Sequence, residues 1–108
     1  MEVKLNKSNR QGKKLMLIFY EKGKKKKTIH FGSSSNKDFT IYNKTEGKKV
    51  ANDKKKLYLA RHSPSKTKEN WSVPDTPASA SRWILWNLPT VKASFNDYVK
   101  RFKLKIKK

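Results

Sequence analysis

The chain has 108 residues, with 28 Lys and Arg against 8 Asp and Glu for a net charge of +20, and no cysteine. That length fits one domain. The composition rules out disulfides and thiolate zinc sites. No apolar run approaches the length that spans a membrane, and no apolar stretch follows the basic start as a secretory signal requires.

Met1 to Gly12 is polar and basic and reads as an N-terminal arm. Leu15 to Tyr20 (LMLIFY) is an unbroken apolar run of strand length. A Gly-containing turn and a lysine run follow, then Thr28 to Gly32, which is a hairpin signature. Ile29 and Phe31 share the face expected to be buried, with Thr28 and His30 opposite. Lys24 to Lys27 would sit at the hairpin tip, where four adjacent ammonium groups repel unless an anion is near. Phe39 to Tyr42 is the candidate third strand, and Asn43 to Ala51 reads as a basic loop.

The apolar period then changes. Asn52 or Asp53 is the expected cap of a helix running to about His62, since Pro64 forbids much extension. Ser63 to Asp75 reads as an irregular connector, with Trp71 plugging a gap in the core. Thr76-Pro77 is a cap followed by Pro in the first helical position. The helix from Pro77 to about Asn87 carries Trp83, Ile84, Leu85 and Trp86, apolar nearly all round, and so belongs in the core. Val91, Phe95, Tyr98, Val99 and Phe102 then form an amphipathic stripe on a last helix. Lys103 to Lys108 reads as a basic tail. The expected fold is α+β: an N-terminal β-hairpin packed against about three short α-helices, in one domain over residues 13–102 between a 1–12 arm and a 103–108 tail.

Little here points to catalysis. The two histidines lack a second pair at ligand spacing. Eight carboxylates are scattered without an acid–base or two-metal motif. Asp53 reads as a cap and Glu69 as a lysine partner. A nuclease assembled from Asp38, Glu69 and a lysine is the enzymatic alternative. Gly12, Gly23, Gly32 and Gly47 are isolated, so there is no phosphate loop. Neither a cofactor nor a small-molecule substrate is expected.

The positive charge is mostly Lys, with only Arg10, Arg61, Arg82 and Arg101 as Arg. Lysine is a point charge suited to phosphate contact, whereas the planar guanidinium is suited to bidentate reading of guanine. Solubility needs a net charge of only about 2–8 on a small domain, so +20 implies a polyanionic partner. The expected phosphate contacts are Lys24, Lys25, Lys26 and Lys27; Lys54, Lys55, Lys56 and Arg61; and Lys103, Lys105, Lys107 and Lys108. Tyr20, His30 and Tyr42 are the candidate rings for base stacking.

Six motifs occur in a distinctive order: HFG (His30 to Gly32), DFT (Asp38 to Thr40), YLARH (Tyr58 to His62), ENW (Glu69 to Trp71), SRWILWNLPT (Ser81 to Thr90) and DYVKRF (Asp97 to Phe102). Over residues 13–102 the chain resembles a family of small basic proteins of giant and other large double-stranded DNA viruses, with look-alikes in bacteriophages. It departs from them at Ser33-Ser34-Ser35-Asn36, where relatives carry a Gly-containing loop, and in the spacer Asn43 to Ala51. The resemblance carries no catalytic residues over. It implies a setting, namely the virion and the host-cell interior (viral factory, cytoplasm or nucleus). Within it, the expected function is non-enzymatic, sequence-non-specific binding of viral DNA in genome compaction or packaging. The alternative is a minor capsid protein whose basic arms bind acidic surfaces of major capsid proteins. Residues 1–54 carry 15 positive and 5 negative groups and residues 55–108 carry 13 and 3, so each half is +10. Such an even coating suits a protein surrounded by anion.

Overall fold

A computed structural model describes residues 1–108. The fold is α+β, with a mixed four-stranded sheet. Strands β1 (Glu2–Lys7), β2 (Lys13–Glu21) and β3 (Lys24–Ser33) form an antiparallel meander, and the short β4 (Lys105–Ile106) pairs parallel to β1, giving the order β3-β2-β1-β4. Side chains alternate between faces along a strand. Val3, Leu17, Phe19, Ile29 and Phe31 therefore share one buried face, which includes the Ile29 and Phe31 expected there. The unbroken run of β2 also places Met16, Ile18 and Tyr20 on the opposite face. At the tip, Lys22 (φ 52°) and Gly23 (φ 79°) make the two-residue turn that matches strand twist.

The first twelve residues are not a free arm. Val3 is fully buried, and Glu2 to Lys7 pair with Tyr20 to Leu15 residue by residue. The sequence holds the reason: Val3 and Leu5 alternate with Glu2, Lys4 and Asn6, a half-buried strand pattern.

Phe39 to Tyr42 is helical, not a third strand. It opens α1 (Phe39–Thr45), because the Asp38 side chain accepts a hydrogen bond from the Ile41 amide at 3.0 Å. The expected loop Asn43 to Ala51 is broken only at Glu46-Gly47. Gly47 then caps α2 (Lys48–Arg61), five residues before Asn52 and six before Asp53, the expected caps, so both lie inside the helix. Ser63 caps the short α3 (Pro64–Thr67). Thr76 caps α4 (Pro77–Ala80), whose continuation Ser81–Leu85 widens into a π-helical turn closed by the Trp86 amide on the Ser81 carbonyl. Thr90 caps α5 (Val91–Arg101).

Ala80, Ile84 and Leu85 join Phe95, Tyr98 and Val99 against the inner sheet face to form the main core. Two buried hydroxyls tie its connections. Ser94 Oγ accepts from the Leu88 amide at 2.9 Å, and Tyr98 OH donates to the Pro74 carbonyl at 2.7 Å.

The C-terminal residues are not a free tail either. Lys103 adopts φ 54°, and the Leu104 amide reaches back to the Val99 carbonyl while the Lys103 amide reaches Lys100. This is the two-bond termination of a helix, and it reverses the chain into β4 beside β1.

Candidate nucleic-acid interface

Among the 28 Lys and Arg, only Lys14, Lys26, Lys27, Lys37 and Arg101 reach a carboxylate. All but Lys14–Asp38 are surface pairs, which hold little energy. The charge is thus a field of cations without partners.

The structure brings two of the three predicted lysine clusters together. By register, Tyr20 lies between Lys25 of β3 and Glu2 of β1, and Glu2 lies beside Lys105 of β4. These four residues form one row across the sheet, about 14 Å wide from β3 to β4. Lys24, exposed, and Lys26, set at a bulge in the β2–β3 register, crowd one end of that row. Lys105 and Lys107 stand at the other, with Lys103 and Lys108 exposed on the same segment. The Lys107 ammonium stands 5.4 Å from the Tyr20 ring centroid. Lys27 turns toward Asp75, at 3.5 Å.

The third cluster sits elsewhere and is only partly available. On α2, Lys54 and Arg61 line a cleft of about 580 Å³ with the exposed Lys13, and Lys56 is exposed beside them. Lys55 points inward: its ammonium donates to the Asn87 carbonyl at 2.7 Å and lies 4.7 Å from the Phe39 ring. Burial, with Arg82 nearby, lowers its pKa. Lys55 pins α2 to the loop after the π turn, so it is removed from the expected phosphate contacts.

Aromatic rings wall the cleft. Tyr58 is stacked between Trp86 (4.6 Å, 7° between planes) and His62 (4.5 Å, 25°). Both faces of Tyr58 are therefore occupied by the protein. Burial pushes its hydroxyl pKa up. His62 Nδ1 donates to Glu69 at 2.7 Å, and the other Glu69 oxygen accepts from Trp71 Nε1. Glu69 is thus a partner of His62 and Trp71, not of a lysine. Tyr42, expected as a stacking ring, is bracketed by the Lys37 and Lys54 ammonium groups, each 5.7 Å from its centroid. Asp38 also lines this cleft; one of its oxygens caps α1 and the other accepts from Lys14 at 2.7 Å. No group of three His, Asp or Glu side chains comes together as a metal site.

A second aromatic assembly lies on the C-terminal side. The Trp83 ring is flanked by the Arg82 and Arg101 guanidiniums at 4.1 and 3.7 Å, and its Nε1 donates to the Trp71 carbonyl. Arg82 also lies 5.5 Å from the Trp71 ring. Trp71 is half-exposed and braces this surface rather than filling a core gap. Two of the four arginines are therefore spent on indole faces.

Sequence reasoning missed the Tyr58–Trp86 stack. The Tyr58 and His62 spacing of one helical turn was a visible cue, but the position of Trp86 depends on the π turn. Also missed was the partner of His30, a candidate stacking ring, whose Nδ1 shares a 2.7 Å hydrogen bond with Ser8 Oγ across the sheet.

Fold and surface define a small α+β protein with a cation-coated mixed sheet. Residues 3–62 match the family of unknown function DUF5754, and the chain belongs to that family. No curated protein and no solved structure matches the chain. No helix is long and apolar enough to cross a membrane.

Proposed function

We propose that this protein binds nucleic acid through its phosphate backbone, without sequence preference, and serves genome compaction or packaging in a large double-stranded DNA virus. The proposed role is non-enzymatic. The observation that carries it is the placing of Lys24 to Lys26 and of Lys105 and Lys107 along one end of the sheet, where lysines outnumber the two carboxylates, Glu2 and Glu21. Two runs nearly eighty residues apart in sequence make one cationic surface, which is costly unless an anion covers it. Lys54 and Arg61, seven residues apart on α2 and lining one cleft with Lys13, offer a second track. The capsid alternative would use the basic arms, parts of which, Glu2–Lys7 and Lys105–Ile106, are paired in the sheet.

The test is binding of a random-sequence duplex across a salt series. Eight phosphate contacts give a log–log salt slope of about −7. Replacing Lys24, Lys25 and Lys26 by Gln reduces its magnitude by about 2–3. Absence of binding at low salt refutes the reading.

A further inference from the structure

We infer that the sheet face opposite the core is a docking platform for single-stranded nucleic acid, with Tyr20 as its base-stacking ring. This deepens the reading above and rests on it.

The helical residues of the main core pack on one face of the sheet. The core cluster takes Val3, Leu17, Phe19, Ile29 and Phe31, while Ile18 is buried yet lies outside that cluster. Register gives the composition of the other face. One row is Lys25, Tyr20, Glu2 and Lys105; the next is Thr28, Ile18 and Lys4; the third is His30, Met16 and Asn6. The β2 column is therefore apolar and aromatic (Tyr20, Ile18 and Met16), flanked by Lys25, Lys4 and Lys105 together with Thr28, His30, Asn6 and the single carboxylate of Glu2. Tyr20 and His30 stand two rows apart, about 13 Å along the strands.

This pairing of chemistries fits one occupant. A duplex keeps its bases stacked inside and presents phosphates, so lysines alone would serve it. A single strand offers base faces as well, and recognition of single strands combines a cationic track with aromatic stacking. The other exposed-ring candidates are taken: Tyr58 is stacked on both faces and Tyr42 is bracketed by two ammonium groups. Tyr20 is half-buried, and the group over its ring is the Lys107 ammonium, 5.4 Å from the centroid on a flexible side chain. An incoming base displaces that ammonium from the ring and leaves it beside the base's own phosphate.

The experiment measures anisotropy of labelled 20-nucleotide oligo-dT and of a 20-base-pair random duplex with the full chain at one fixed salt concentration. Tyr20→Leu keeps apolar bulk on the face, and circular dichroism checks that it folds as the parent does. Loss of stacking is expected to weaken oligo-dT binding about 5- to 100-fold, leave duplex binding within about twofold, and be rescued by Tyr20→Trp. Equal weakening of both probes, no change in either, or a parent that binds duplex alone overturns the platform while nucleic-acid binding stands. A parent that binds neither probe overturns both.

Discussion

Gly32, the last residue of the HFG motif, couples backbone and core, and Gly32→Ala measures that coupling. Its φ is +79°, and a Cβ built there would lie 2.6 Å from Leu85 Cδ1. Ordinary carbon contacts are about 3.5–4.0 Å, so roughly 1 Å must be found in a close-packed interior. Leu85 cannot swing clear, because it is only 3% exposed and belongs to the π turn. A left-handed conformation costs a non-Gly residue about 1–2 kcal/mol, and overpacking costs about 1–3 kcal/mol more. The expected loss is about 2–5 kcal/mol, which at 4–8 °C per kcal/mol lowers Tm by roughly 10 °C or more. Gly12→Ala is the matched control: its φ is +85° and nothing lies within 4 Å of the new Cβ. It should lose the strain energy alone. Urea unfolding followed by circular dichroism gives both values. If Gly32→Ala costs no more than Gly12→Ala, the clash with Leu85 is not real and the packing of the π turn on β3 is wrong.

Two further outcomes follow from buried polar groups. Asp38→Ala removes the α1 cap and strands the Lys14 ammonium, whose side chain is 17% exposed. It should cost about 3–5 kcal/mol in urea unfolding, and Asp38→Asn should cost less because Asn still caps. Tyr98 is buried, and burial raises its pKa, with the Asp75 charge adding to the effect. Its phenol stays neutral in the folded chain while the unfolded phenol ionises near pH 10, so its contribution is intact below that pH and falls as pH rises further. The stability gap between the parent and Tyr98→Phe should therefore narrow from pH 8 to pH 11; a constant gap would contradict the burial argument.

How much was legible in the sequence depended on how many residues repeat a signal. The hairpin was readable because LMLIFY and the glycine turn act over neighbouring residues, and α5 because five apolar residues keep one helical face. The first strand carries only two apolar residues, Val3 and Leu5, and the last only Ile106, with Leu104 just before it. Their alternation was visible, but the lysines between them gave equal weight to a solvated arm. Their actual partner is each other, a pairing across a hundred residues that no local pattern announces. Phe39 to Tyr42 misled through its aromatic and β-branched content, which favours strands; Asp38 outweighed it by supplying an acceptor to the first turn. The lysine clusters were found by counting. That Lys55 turns inward and Lys25 faces the side of the sheet shared by Tyr20 depended on helix phase and strand register.

The β1–β4 pairing also sets a clock. The Lys105 amide donates to the Met1 carbonyl and the Lys107 amide to that of Val3, so the first strand's outer edge is completed by residues made about a hundred positions later. At about 5–20 residues per second of synthesis, that edge waits roughly 5–20 s for its partner. Throughout the wait it offers unpaired backbone to any neighbouring nascent chain, the condition under which strand edges join wrongly. Lys4 and Lys7, which look like binding residues in the finished molecule, guard β1 in the unfinished one. Charge that serves the mature surface has an earlier use in keeping newly made chains apart.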